Sequence, residues 1–165
     1  MPTPPPAAEE TACLARLLHT TRWVALATAR DEEPLASWVA VAPEPDFGGF
    51  LLHLSHLALH TRYLETNPRV ALAWSEPDTG KGDPQTLARL SLQGVVHPIA
   101  REHADYARAQ ACYLACLPDA GQTFALGDFT LYRFIPDTGR FVPGFGRAHR
   151  VTPAELRQVA LAWPR

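Results

Sequence analysis

The chain has 165 residues and a net charge of −2. That length predicts one domain, and the charge lacks the electrostatic footprint of a nucleic-acid binder. With 47% hydrophobic and 19% charged residues, the composition is that of a folded globule and excludes a disordered chain. No apolar run approaches the length of a membrane span, so no membrane partner is expected.

Met1 to Ala8 is rich in proline and alanine and reads as a flexible tail ahead of a single domain over residues 9–165. It has no basic and apolar leader pattern, and three cysteines imply no disulfide framework, so cytoplasmic residence is the expectation. From Glu9 to His19, Leu14, Leu17 and Leu18 fall at helical spacing. Trp23 to Ala29 reads as a strand, Arg30 to Pro34 as a turn, and Leu35 to Ala42 as a second strand. In that second strand Leu35, Ser37, Val39 and Val41 share a face. Pro43 to Gly49 has turn chemistry, and a third strand follows at Phe50 to Ser55.

A short helix opens at His60-Thr61-Arg62, with Thr61 as its expected N-cap, and Pro68 closes it. Val70 to Ser75 and Leu87 to His97 are the fourth and fifth strands, separated by an exposed loop. Helical character returns from Arg101 to Leu117, where Pro118 ends it. Two further strands, Phe129 to Ile135 and Arg140 to Phe145, flank an expected turn at Pro136-Asp-Thr-Gly139. Thr152-Pro153-Ala-Glu155 is a capping box opening a final helix. Six to seven sequential strands with short links predict a mainly β, antiparallel barrel with peripheral helices.

Familiar catalytic signatures are absent from the sequence: no Walker loop, GxGxxG, HExxH, GxSxG or CxxC occurs. Cys112 and Cys116 stand four apart on a helix, where two packed thiols are the simpler reading than a metal pair. No metal site is expected. The polar side chains that remain are on strands and at one helix mouth. Arg89, Ser91, Gln93 and His97 alternate with Leu90, Leu92 and Val96. Their face is either a solvated exterior or a ligand groove in which Arg89 holds an anion and Gln93 pairs with a ring. Ser55, His60, Thr61 and Arg62 gather at a helix mouth, which is either a plain cap or an anion site. Asp128 reads as a strand-start turn residue, and Glu9, Glu10, Glu32 and Glu33 as solvated carboxylates.

The ordered segments Val24-Ala-Leu-Ala-Thr28, Leu52-His-Leu-Ser55, Leu57-Ala-Leu-His-Thr-Arg62, Arg89-Leu-Ser-Leu-Gln-Gly94 and Asp128-Phe-Thr-Leu-Tyr-Arg133 resemble the FMN-binding split-barrel superfamily. Its best-known member is pyridoxamine 5'-phosphate oxidase, and the pattern is closest to its haem-iron-utilisation branch. The resemblance spans roughly residues 14–150. It implies a split β-barrel and a homodimer with FMN in grooves at the subunit interface, hence a flavoprotein of oxidoreductase type. Carried over, Ser37, Ser55, His60, Thr61 and Arg62 become phosphate and ribityl contacts. Arg89 and Gln93 approach the flavin, and Arg147 reaches toward the site. Where the oxidase has a Ser-Arg-Lys triplet, this chain has Ala58, Leu59 and His60, so pyridoxamine phosphate is not the expected substrate. The haem branch implies the alternative of a haem-binding or haem-degrading protein, with His149 as the histidine near the C-terminus. A solvent-facing His149 is the competing reading, and a non-catalytic cofactor-binding barrel is a third.

Overall fold

The structure is a computed structural model and describes residues 8–163. The tail expected over residues 1–8 therefore falls almost wholly outside the described residues, and its last residue, Ala8, already begins α1 (Ala8–Thr20). Two strands follow, β1 (Trp23–Arg30) and β2 (Glu33–Ala40), joined by a tight hairpin in which Asp31 takes a positive φ of 54°. Asp tolerates that left-handed conformation because its short polar side chain bonds locally. Next come β3 (Ala42–Pro43), β4 (Phe50–Ser55), α2 (Leu59–Thr66), β5 (Arg69–Ser75) and β6 (Arg89–Ile99). Helix α3 (Tyr106–Cys116) runs into 3-10 turns at Pro118–Ala125, followed by β7 (Phe129–Gly144), β8 (Arg147–Val151) and α4 (Pro153–Leu161).

All eight strands pair antiparallel in the order β2-β1-β5-β6-β7-β4-β3, with β8 added alongside β7. The sheet curls but does not close, because β2 and β3 end it without pairing to each other. Strict alternation makes the inner face apolar. Val24, Leu26, Leu72, Leu90, Leu92 and Phe134 are at most 1% exposed and form the barrel core. Helices α1 and α4 close one side of this core through Leu14, Leu18, Leu156 and Val159. A smaller core lies on the other face of β4 and β7, where Leu51 and Leu131 pack under Tyr113 of α3 and Phe124 of the 3-10 turns. Cys112 and Cys116 pack half-buried against this second core, and burial raises both thiols above their ordinary range. Among the described residues no helix is long and apolar enough to cross a membrane.

The long helix expected from Arg101 starts only at Tyr106, and Pro118 begins 3-10 turns instead of ending helical structure. Proline suits that place because the first helical turn has no internal partner for its N–H. The turn expected at Pro136 to Gly139 does not form, and β7 runs straight through it. Pro136 faces Gly94 of β6 on one side, while on the other β4 stops pairing at Phe134 and β8 starts only at Gly139. Its missing N–H therefore costs no ladder bond. Asp137 is the extra residue of a bulge opposite Gln93 and Gly94, and it forms an ion pair with Arg69.

Helix α3 is anchored at its start by a charged cluster. The Arg133 guanidinium donates two bonds of 2.9 Å to Glu44, a residue only 7% exposed, and also pairs with Asp105. Asp105 in turn accepts from Arg108 at 2.6 Å. A bidentate fork of this kind fixes orientation as well as distance.

Candidate functional site

The helix mouth is built by the end of β4 and the start of α2. Ser55 Oγ donates to Asp128 Oδ2 at 2.7 Å and accepts from the Leu57 amide at 3.1 Å. The Asp128 carbonyl accepts from the His56 amide at 2.7 Å, so this loop seals the turn and leaves a carboxylate beside it. Helix α2 starts earlier than expected. Its N-cap is Ala58, without any side-chain cap, and Thr61 lies within the first turn. Thr61 is fully buried and its hydroxyl has no hydrogen-bond partner, which corrects its reading as a cap. His60 is half-buried, and that burial lowers its pKa. Arg62 alone projects into solvent. Ser37 sits half-buried on the inner side of β2, opposite Leu26. These five residues do not converge on an open cradle, and Asp128 places negative charge where an anion was expected.

The outer face of the sheet is the opposite case. One row across six strands reads Trp38, Ala25, Ala73, Ser91, Arg140 and, on β8, Arg150. The next row reads Ala36, Ala27, Ala71, Gln93 and Thr138. The result is a smooth floor of alanines. Trp38 stands above it at 61% exposure, stacked on Trp23 at 6.4 Å. A groove of about 470 Å³ lies on this floor between Trp38 and the two guanidinium-bearing residues Arg89 and Arg140. Arg89 donates through Nη1 to the carbonyls of Gln85 at 3.0 Å and Leu87 at 3.2 Å, which pins its guanidinium at the rim. Arg140 is exposed and has no ion pair among the described residues. Gln93 lines a neighbouring depression of about 340 Å³ with Ala27, Ala71 and Arg69. Arg89 and Gln93 thus share the face read from their alternation, in adjacent hollows. Trp38, Arg140 and the alanine floor were missed, although outward positions occupied only by small residues were a usable signal.

Arg147 and His149 lie elsewhere. Arg147 pairs with Glu10 of α1 at 2.8 Å, and His149 Nε2 is 3.0 Å from the other Glu10 oxygen. The His149 side chain is 11% exposed, and its Nδ1 is buried without a hydrogen-bond partner. His149 is therefore neither solvent-facing nor presented to a ligand. Glu10, read as a solvated carboxylate, is a buried clasp between α1 and β8. No group of three metal-ligating side chains gathers among the described residues.

An incompletely closed antiparallel barrel with helices on its flanks defines the split-barrel class. The chain belongs to the family described as CREG, beta-barrel, which it matches over residues 6–157. It is 30% identical over 116 residues to haem oxygenase HutZ of Vibrio cholerae, covering 66% of this chain and 62% of that protein. Its fold superposes on a heme binding protein from Mycobacterium smegmatis with a TM-score of 0.79 and 28% identity, over 94% of this chain and 62% of the other. A pyridoxinephosphate oxidase family protein from Clostridium acetobutylicum, related to general stress protein 26, shares the fold alone. There the TM-score is 0.67 and the identity 15%, with 92% of this chain and 99% of that one covered. The chain spans about 62% of the length of the two haem-related relatives.

Proposed function

We propose that this chain is a haem-binding protein of the iron-utilisation type, holding the macrocycle on the outer sheet face. The observation that carries this reading is the groove itself: an alanine floor, an indole wall and two arginines at one rim. A flat apolar ring with two carboxylates matches that donor set, since guanidinium binds carboxylate through paired hydrogen bonds. Arg140, uncommitted, and Arg89, held by backbone carbonyls, would receive the propionates, while Trp38 would cover the ring. Bound haem would supply iron chemistry. Among the described residues no histidine lines the groove, and His149 is held by Glu10 on the opposite side of β8, so these residues offer the ring and its carboxylates a seat but no imidazole ligand. Similarity to haem oxygenase HutZ and to the heme binding protein from Mycobacterium smegmatis supports haem ahead of flavin. So does the helix mouth, which lacks the phosphate cradle FMN needs, because Ser55 is committed to Asp128 and Thr61 is buried.

A second copy of the chain is the natural cover for the rest of the face, giving a homodimer. Beyond the groove, the face carries Asp31 and Glu32 at its β1-β2 corner and Arg150 toward the diagonally opposite corner. A two-fold axis along the other diagonal brings acid against base in both halves, as an isologous contact requires.

Titrating the purified protein with haemin and, separately, with FMN tests the reading. A saturable Soret band with haemin, weakened in the Arg89→Ala, Arg140→Ala double variant, is the expected result. Tight FMN binding without haemin binding, or haemin binding indifferent to both arginines, would overturn it.

A further inference from the structure

The second core contains a histidine with no role in the groove. His53 of β4 is 8% exposed, and its ring stacks on Phe124 at 3.8 Å and 7°, with Phe129 at 5.1 Å and Tyr113 at 5.9 Å around it. Thr123 donates its hydroxyl to the Ala120 carbonyl at 2.8 Å, so that oxygen receives the N–H of His53 Nδ1 at 3.0 Å. The remaining ring nitrogen, Nε2, then carries a lone pair. It is buried and has no hydrogen-bond partner. Phe124, Thr123 and Ala120 all belong to the 3-10 turns Pro118–Ala125.

We propose that His53 is an acid-sensitive latch: its neutral ring pins the Pro118–Ala125 turns onto β4, and protonation at Nε2 releases them. Protonation would set a cation and an unpaired donor among three aromatic rings, and a buried charge without a partner is strongly disfavoured. One charged group acts on this ring and one titratable group lies beside it. Arg101, which donates to the Phe124 carbonyl at 3.1 Å, opposes protonation by its charge, and Tyr113 is kept neutral to about 12 by its own burial. No carboxylate is among the groups that shift it. Burial first and Arg101 second hold the imidazole at about 4, against 6.5 for a free one. The open segment restores the free value, so acid favours opening. Linkage makes the opening equilibrium rise about tenfold from roughly pH 7.5 to 5.5, and about seventyfold by roughly pH 4.5.

Release has a definite structural result. Leu117, Asp119 and Ala120 wall a cleft of about 390 Å³ with Arg22, Trp23 and Ala40. Opening removes that wall and bares Leu51 and Leu131 of the second core. The latch stands apart from the identity of any cofactor, because it involves only this segment and β4.

Hydrogen exchange of the full chain, expressed as protection relative to the intrinsic chemical rate at each pH, tests it. In the wild type, protection of residues 118–126 is expected to fall about tenfold between roughly pH 7.5 and 5.5, while β5 and β6 amides hold. His53→Phe keeps the stacking without the proton and should show no such fall. Thr123→Ala removes the acceptor and should lower protection of the segment already at neutral pH, with the pH dependence retained. Equal pH dependence in wild type and His53→Phe overturns the latch. So does a Thr123→Ala segment as protected as wild type, or a loss of protection spread equally over β5 and β6.

Discussion

Two places in this molecule look alike as sequence and differ as structure. The mouth of α2 and the outer face of β6 each present serine, arginine and a neighbouring polar side chain. At the mouth, Ser55 is committed to Asp128 and to the Leu57 amide, and Thr61 is buried in the first turn of α2. On the sheet, Ser91 and Gln93 point outward, and Arg140 has no ionic partner among the described residues. The difference teaches that a polar residue signals binding only after its internal partners have been counted. Burial and hydrogen-bond accounting separate a closed turn from an open site.

That contrast can be broken or sharpened experimentally. The largest effect is expected where the outer floor takes its shape. A methyl at Gly94 would overlap the Ile135 carbonyl and Phe134 ring across the bulge. Gly94→Ala should cost about 3 kcal/mol or more of stability, since rigid backbone cannot yield as a flexible side chain would. A urea midpoint close to wild type would mean that the bulge does not set the floor. Next, replacing both Arg89 and Arg140 by alanine should weaken haemin binding by about tenfold to a hundredfold, at roughly 1.4 kcal/mol per tenfold, without moving the melting temperature. Arg62→Ala should leave the affinity alone, and equal losses at both places would erase the distinction.

The face as an interface gives a third test. Ala27→Arg places a charge at the centre of the proposed contact, where Ala27 faces Ala36 and Ala71. The dimer dissociation constant should rise at least about tenfold by sedimentation, since like charges meet across a two-fold axis. A concentration-independent monomer in the wild type would refute the interface outright. Ser55→Ala should cost about 1–2 kcal/mol of stability, because Asp128 and the Leu57 amide lose their partner, and haemin affinity should not change. A loss of affinity larger than the loss of stability would restore the mouth as a binding site. The smallest effect concerns acid. Arg108 first and Arg133 second hold Asp105 at about 2, below its ordinary 3.8. Its contribution is therefore present above 3.8 and fades as pH falls from there toward about 2. Asp105→Asn should flatten the stability profile over that window alone, as read from denaturant midpoints.

Much of the barrel was legible because alternation is a local signal. Val24, Leu26, Leu90 and Leu92 announce which face of each strand is inside, and the core follows. The α4 capping box was equally legible, and both of its hydrogen bonds form. What misled was punctuation. Pro136 and Gly139 suggest a turn, yet their meaning depends on which neighbours pair on either side, a property of the sheet rather than of the segment. The candidate site was half legible for the same reason. Arg89 and Gln93 follow from one strand's own alternation, whereas Trp38 and Arg140 join them only through cross-strand register. Glu10 and His149, distant in sequence, give no local hint that they meet.

Strand β7 also dictates an order of events during synthesis. Strand β4, whose residues Phe50 to Leu54 are all buried in the finished fold, pairs among the described residues with the two-residue β3 and with β7 alone. On the ribosome the strands β1, β2, β5 and β6 can associate as they emerge. Meanwhile β4 stays bare until the residues from 129 onward leave the exit tunnel. An apolar edge left waiting for a distant partner is what chaperones recognise and what aggregates nucleate on. Shortening or delaying the C-terminal third of the chain should therefore harm its solubility in the cell more than equal changes ahead of β1.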